Sequence, residues 1–226
     1  MRASIRRPIA VKRALLVPAL FWALAGAAPH PFVVALGDSI TYGWALPEPS
    51  TQNYASLYAD RVGAELANLA VPGYTCAQVR VRLTRMPSGA STVILNCGTN
   101  DIGGFGAVEG GVPNGHHRIP PATQRELFSA EKDFRDILSI VRKKEPNARI
   151  VVLTIRHWQR MTGPEDPRFA KDVTTWNAMI RKSGAHVVDI AADPRMYQLE
   201  YIQEDLIHPN IEGNDAIADD VENSLP

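Results

Sequence analysis

Ser39 stands just past an apolar run, inside the stretch FVVALGDSITYG of residues 32–43. A small hydroxyl in that place has two readings: nucleophile of a covalent mechanism, or cap of a turn or helix. A second polar cluster, Asp205-Leu206-Ile207-His208, comes near the other end of the chain. Serine, histidine and carboxylate are the ingredients of a nucleophile, a base and an orienter. Asp205, three positions before His208, suits a pair fixed by a short turn. Two further polar stretches, Pro72-Gly73-Tyr74 and Gly98-Thr99-Asn100-Asp101, contain glycine and asparagine, which can donate to a developing oxyanion.

The elements around these stretches alternate. Residues 32–36 are uncharged and carry two valines, so they read as a buried strand broken by Gly37. Residues 65–70, 92–97, 149–154 and 186–190 read as four more strands. Helical spacing of apolar residues marks 54–62 and 124–144, and 77–85, 169–182 and 214–221 also read as helices. Such alternation predicts an α/β fold with a mostly parallel sheet covered on both faces. The three glycine-containing loops follow the first three strands, and in an open sheet the crevice beyond the strand carboxyl ends is where ligands sit. Residues 102–121, rich in glycine and proline, form a long irregular insert that either shapes the pocket or is a passive excursion.

The blocks GDS at 37–39, Gly73 within NLAVPGYT, GTND at 98–101, and DLIH at 205–208 continued by Pro209-Asn210 resemble the SGNH (GDSL-type) hydrolase family. The resemblance spans residues 32–221. It implies a three-layer α/β/α sandwich with a central five-stranded sheet of the flavodoxin-like kind. It also implies Ser39 as nucleophile, His208 as base and Asp205 as its orienter, with Gly73, Asn100 and the Ser39 amide forming the oxyanion hole. No metal or other cofactor is implied. The Gly-x-Ser-x-Gly nucleophile elbow is absent, because Ser39 is flanked by Gly37-Asp38 and Ile40-Thr41. A positive-φ turn at Gly73 is compatible with presenting an amide. Asn100 either donates to an oxyanion or braces its own loop. Asp38 and Asp101 read as acceptors that hold their loops. The expected activity is ester hydrolysis through an acyl-enzyme, with small soluble esters or O-acetylated carbohydrate favoured. A lipase, a lysophospholipase-like thioesterase or an O-acyltransferase of the same fold is the alternative. From another class, the alternative is a non-catalytic carbohydrate-binding protein on this scaffold.

Length and composition set the remaining bounds. A chain of 226 residues, 45% apolar and 21% charged, suits one globular domain with a sizeable core. Residues 1–13 carry Arg2, Arg6, Arg7, Lys12 and Arg13, and the uncharged 14–28 ends in small side chains. Basic head, short apolar core and small-residue end predict a secretory signal peptide over 1–28, leaving a hydrolase domain at 29–226. Without that leader, 19 basic residues face 24 acidic ones, a formal charge of −5 that argues against a polyanion-binding surface. The expected partner is a small-molecule or carbohydrate ester. No nucleic acid is expected, nor a membrane span after cleavage, and the chain is expected to be a monomer. In an exported protein Cys76 and Cys97 are candidates for one disulfide, or for two buried free thiols. Tyr42, Trp44 and His157 are candidate pocket residues, with core packing as the competing reading. His116-His117 lack acids or cysteines at ligand spacing, so no metal site is expected there.

Overall fold

An apolar run without alternation is what a strand buried on both faces requires. The computed structural model describes residues 31–103, 121–161 and 163–225. Among them β1 (Phe32–Gly37), β2 (Glu65–Asn68), β3 (Thr92–Asn96), β4 (Arg149–Leu153) and β5 (His186–Val188) form a sheet of order β2-β1-β3-β4-β5. Every pairing in it is parallel. The helices are α1 (Ser39–Tyr42), α2 (Pro49–Gln52), α3 (Tyr54–Arg61), α4 (Cys76–Arg82), α5 (Thr99–Ile102), α6 (Gln124–Lys144), α7 (Pro167–Arg181) and α8 (Ile211–Asn223).

Successive strand residues point to opposite faces, and each face has its own apolar layer. Val34, Leu36, Val93, Leu95 and Val152 pack with Val79 of α4, Phe134 and Ile137 of α6, and Val173 and Trp176 of α7. Val33, Ala35, Ile94, Val151 and Leu153 pack with Tyr54 and Tyr58 of α3 and Ile217 and Val221 of α8. The result is the three-layer α/β/α sandwich. The long α6 starts on a capping box between Thr123 and Glu126. It ends on Arg142, Lys143 and Lys144, which oppose the partial negative charge of its carboxyl terminus.

Several boundaries differ from the sequence reading. The strand expected over 65–70 ends at Asn68, whose side chain donates to Thr41 O and accepts from Ala70 N, so the chain turns away there. Ahead of α3 the chain makes the short helix α2, with Pro49 at its start. Residues 83–85, expected in a helix from 77, continue α4 as a tighter 3-10 turn. Val62 caps α3 and is exposed. Ile102, assigned to the insert, is the buried last residue of α5. The rest of the insert from 104 to 120, including His116 and His117, and the predicted leader lie outside the described residues. Among the described residues no helix is long and apolar enough to cross a membrane.

Candidate active site

β1 and β3 are neighbours at the point where the strand order reverses, so their carboxyl ends open the crevice where ligands of such sheets bind. Ser39 enters that crevice as the first residue of α1. The cap is Asp38, which accepts from Ile40 N at 3.0 Å. Ser39 therefore does not spend its hydroxyl on capping, and as first helical residue its N–H has no partner within the helix. Gly37 allows the sharp entry: a Cβ there would lie 2.3 Å from Thr41 Oγ1 and 2.7 Å from Asn96 O. The Thr41 hydroxyl in turn pairs with the buried Tyr54 hydroxyl at 2.8 Å, fastening α1 to α3.

The loop before α8 brings the other end of the chain to Ser39. His208 Nε2 lies 2.8 Å from Ser39 Oγ, and Nδ1 lies 2.5 Å from Asp205 Oδ2. A carboxylate only accepts, so the Asp205 contact assigns the ring proton to Nδ1 and leaves Nε2 to accept from the serine hydroxyl. Asp205 Oδ1 accepts from Ile207 N and His208 N, both at 2.9 Å. Burial works to raise the Asp205 carboxyl, but the His208 ring and these amides outweigh it and hold it below its ordinary value. The loop is secured from behind. Gln203 N donates to His208 O, and Asn214 links the loop to α3 by donating to Pro209 O while accepting from Tyr54 N.

Two more loops close on the same crevice. Val71 N donates to Gly37 O at 3.1 Å, continuing the β1–β2 ladder beyond β2. Val71-Pro72-Gly73-Tyr74 then makes a turn in which Gly73 adopts φ 81° and Tyr74 N donates to Val71 O. Proline second and positive-φ glycine third are the signature of a type II turn. Its closing hydrogen bond uses the Tyr74 amide, not that of Gly73. A Cβ at Gly73 would meet nothing within 4 Å, so glycine is required there for its backbone angle and not for space. The loop after β3 is stitched to this turn three times. Asn100 Nδ2 donates to Tyr74 O at 3.0 Å, which occupies one amide hydrogen and leaves the second available. Asp101 Oδ2 accepts from Cys76 N at 2.9 Å. Cys76 and Cys97, 21 residues apart, are joined with an S–S distance of 2.08 Å. A serine–histidine–carboxylate relay beside clustered donors can carry out acyl transfer.

A model of the GDSL-like lipase/acylhydrolase family matches residues 35–216. The chain belongs to that family. It is accordingly a serine ester hydrolase. Solved structures of the same fold include phospholipase A1 from Streptomyces albidoflavus, at 18% identity and TM-score 0.65, covering 87% of this chain and 100% of that one. The esterase EstA from a Pseudoalteromonas species is 17% identical, with TM-score 0.60 over 85% of this chain and 95% of that one. The acetyl xylan esterase AlAXEase is 17% identical, with TM-score 0.61 over 86% and 99%. No curated protein matched significantly.

In this GDSL-family chain the three suggested pocket residues fall in different settings. Tyr42 and Trp44, next to Ser39 in sequence, are exposed, and the Trp44 carbonyl accepts from Gln203 in the histidine loop. His157 is buried and has a carboxylate of its own, with Nδ1 2.6 Å from Glu165 Oε1. Among the described residues it makes no hydrogen bond to Ser39, Asp205 or His208. One residue near the relay was not singled out in the sequence. Arg156, at the carboxyl end of β4, donates to the Leu206 and Ile207 carbonyls. The available signal was a charge directly following the apolar segment RIVVLTI. Among the described residues no three His, Cys, Asp or Glu side chains are grouped to hold a metal.

Asp38 and Asp101 hold their loops as acceptors, and both are strained electrostatically. Burial pushes each carboxyl up to about 6 from its ordinary 3.8. Asp38 Oδ2 and the Thr99 Oγ1 are both buried, and the Thr99 hydroxyl acts against the burial by favouring the ionised carboxyl. Because the folded-state value lies above the unfolded one, the native protein holds more protons between about 4 and 6. The stability due to Asp38 is therefore present below 4 and lost as pH rises through 6. Relative to Asp38→Asn, the wild type is expected to lose about 3 kcal/mol over that window. Urea unfolding at several pH values checks it, since the comparison reads slopes and not offsets. Parallel curves for the two proteins would contradict the assignment.

Proposed function

We propose that this protein is an exported serine esterase that hydrolyses carboxylic esters through an acyl-enzyme on Ser39. The observation that carries the reading is the unbroken chain from Asp205 through His208 to Ser39, at 2.5 and 2.8 Å. His208 Nε2 takes the proton of Ser39 as Oγ attacks the ester carbonyl. The Ser39 and Gly73 amides and the second hydrogen of the Asn100 amide receive the negative oxygen. His208 then protonates the leaving alcohol, and the same nitrogen later takes a proton from the water that attacks the acyl-enzyme. Asp205 remains ionised throughout and favours the imidazolium that forms. Export is supported by the basic head and short apolar core of residues 1–28. Sequencing of exported protein should find a start at Ala28 or Pro29, and full-length protein retained in a membrane fraction would rule this out.

Export favours small soluble esters or O-acetylated carbohydrate as substrates. The exposed rings of Tyr42 and Trp44 favour a second reading, in which longer acyl chains are accepted. A chain-length series of p-nitrophenyl esters, run beside acetylated xylan fragments, separates the two by where kcat/KM peaks. Failure to turn over any ester of the series would count against the proposal as a whole.

The donor role given to Asn100 makes its own prediction. Asn100→Ala is expected to lower kcat on the order of 10²–10³-fold with little change in KM, because its hydrogen bond strengthens only as the oxyanion forms. Steady-state kinetics with an activated ester tests this. A raised KM at unchanged kcat would place Asn100 in ground-state binding instead.

A further inference from the structure

The turn that presents His208 is held in an unfavourable shape. Leu206, between Asp205 and His208, sits at φ 60°, a left-handed conformation that a leucine adopts only when its surroundings impose it. Leu206 N donates to Gln203 O, which closes the turn on one side. On the other side one guanidinium nitrogen, Arg156 Nη2, lies 2.8 Å from both the Leu206 and the Ile207 carbonyl oxygens. Nη1 donates to Met196 O at 2.6 Å, anchoring the same side chain to the segment after β5. The Tyr197 ring lies against the guanidinium, 5.9 Å from its carbon to the ring centroid.

Arg156 is only 5% exposed and makes no direct ion pair among the described residues, although the Asp205 carboxylate acts on it through space and favours its charged form. Burying a guanidinium without a counter-charge is costly unless its hydrogen bonds are filled. Here three backbone carbonyls and the Met161 thioether fill most of them. Burial lowers its ordinary value only to about 10, so the group stays charged at neutral pH. Two of the three carbonyls it binds belong to the four-residue turn between Asp205 and His208. A planar fork can grip several acceptors in fixed directions, and an ammonium cannot.

We propose that Arg156 is a positioning residue of the ester-hydrolysing site: its guanidinium clamps the Leu206 and Ile207 carbonyls and thereby aims His208 at both Asp205 and Ser39. It touches no reacting atom and acts through the histidine. The inference rests on the catalytic reading of Ser39, Asp205 and His208. Its consequence is that loosening the clamp should affect the chemical step more than substrate binding. Small misplacements of a catalytic group cost up to ~10²-fold in rate.

The test uses Arg156→Lys and Arg156→Ala in the full chain with a p-nitrophenyl ester. For folded Arg156→Lys, kcat is expected to fall about 10–100-fold with KM within about twofold of wild type. The downfield proton resonance of the His208 Nδ1–H bonded to Asp205 should weaken or exchange faster in parallel. Added guanidinium at non-denaturing concentration should restore part of the activity of Arg156→Ala and none of that of Arg156→Lys. If Arg156→Ala does not fold, Arg156→Lys and the resonance carry the test. A folded Arg156→Lys protein with kcat within about twofold of wild type and the resonance intact, even if less stable, would overturn the proposal. Ser39→Ala run alongside keeps the two readings apart. Turnover surviving in Ser39→Ala refutes the catalytic reading, whereas its loss beside an unaffected Arg156→Lys refutes only the clamp.

Discussion

Ser39→Ala is expected to abolish ester turnover, with kcat down by ~10⁶-fold, the scale on which serine hydrolases lose activity without their nucleophile. The side chain contributes little else. Its hydroxyl makes the 2.8 Å contact with His208, while the cap of α1 is supplied by Asp38 and the sharp entry by Gly37. A single half-exposed hydrogen bond contributes about 1 kcal/mol to stability, so the variant should unfold at nearly the wild-type temperature. The mass of protein quenched during the burst with an activated ester provides the second readout. Wild type should carry one acyl group on the peptide containing Ser39, and Ser39→Ala should carry none. An adduct on another residue, or turnover within a few-fold of wild type, would falsify the mechanism.

His208→Ala is expected to be almost as damaging, about 10⁵–10⁶-fold in kcat, because a serine hydroxyl without a base is a poor nucleophile at neutral pH. The loop itself should persist. Its main-chain bonds, from Gln203 N to His208 O and from the Ile207 and residue-208 amides to Asp205, do not involve the imidazole. Residues of one relay act as a unit, so the double variant Ser39→Ala/His208→Ala should be no slower than either single variant. Measured rates that instead multiplied would mean that the two side chains serve separate steps. A His208→Ala protein retaining more than about a tenth of wild-type kcat would remove the histidine from the mechanism altogether.

The parallel sheet explains how much of this site could be read before any coordinates. Right-handed strand–helix–strand units place every strand carboxyl end on the same edge. Polar loops following the runs at 32–36, 65–70 and 92–97 must then share one rim, however far apart they lie in the chain. Local chemistry marked each loop: Gly37 where β1 must break, Pro72-Gly73 where a type II turn forms, Asn210 where α8 begins. Side-chain patterns of period 2 and 3.6 encode the elements because they report which face is buried.

What period and punctuation do not carry is the identity of partners across the fold. The cap of α1 turned out to be Asp38 and not Ser39, a difference of one residue that local pattern leaves open. The Cys76–Cys97 bridge depends on the turn after β2 lying beside the end of β3. His157 faces Glu165, across a turn with no regular spacing. Arg156 is the clearest case. A buried charge whose hydrogen bonds go mostly to backbone carbonyls leaves little in the sequence to announce it. So the sequence by itself determined the layers, the order of the four blocks and the chemistry each could offer. The tertiary structure decided which hydroxyl was left uncapped, which amide hydrogens remained open and which side chain aims the histidine, because those depend on distances between segments that no local pattern specifies.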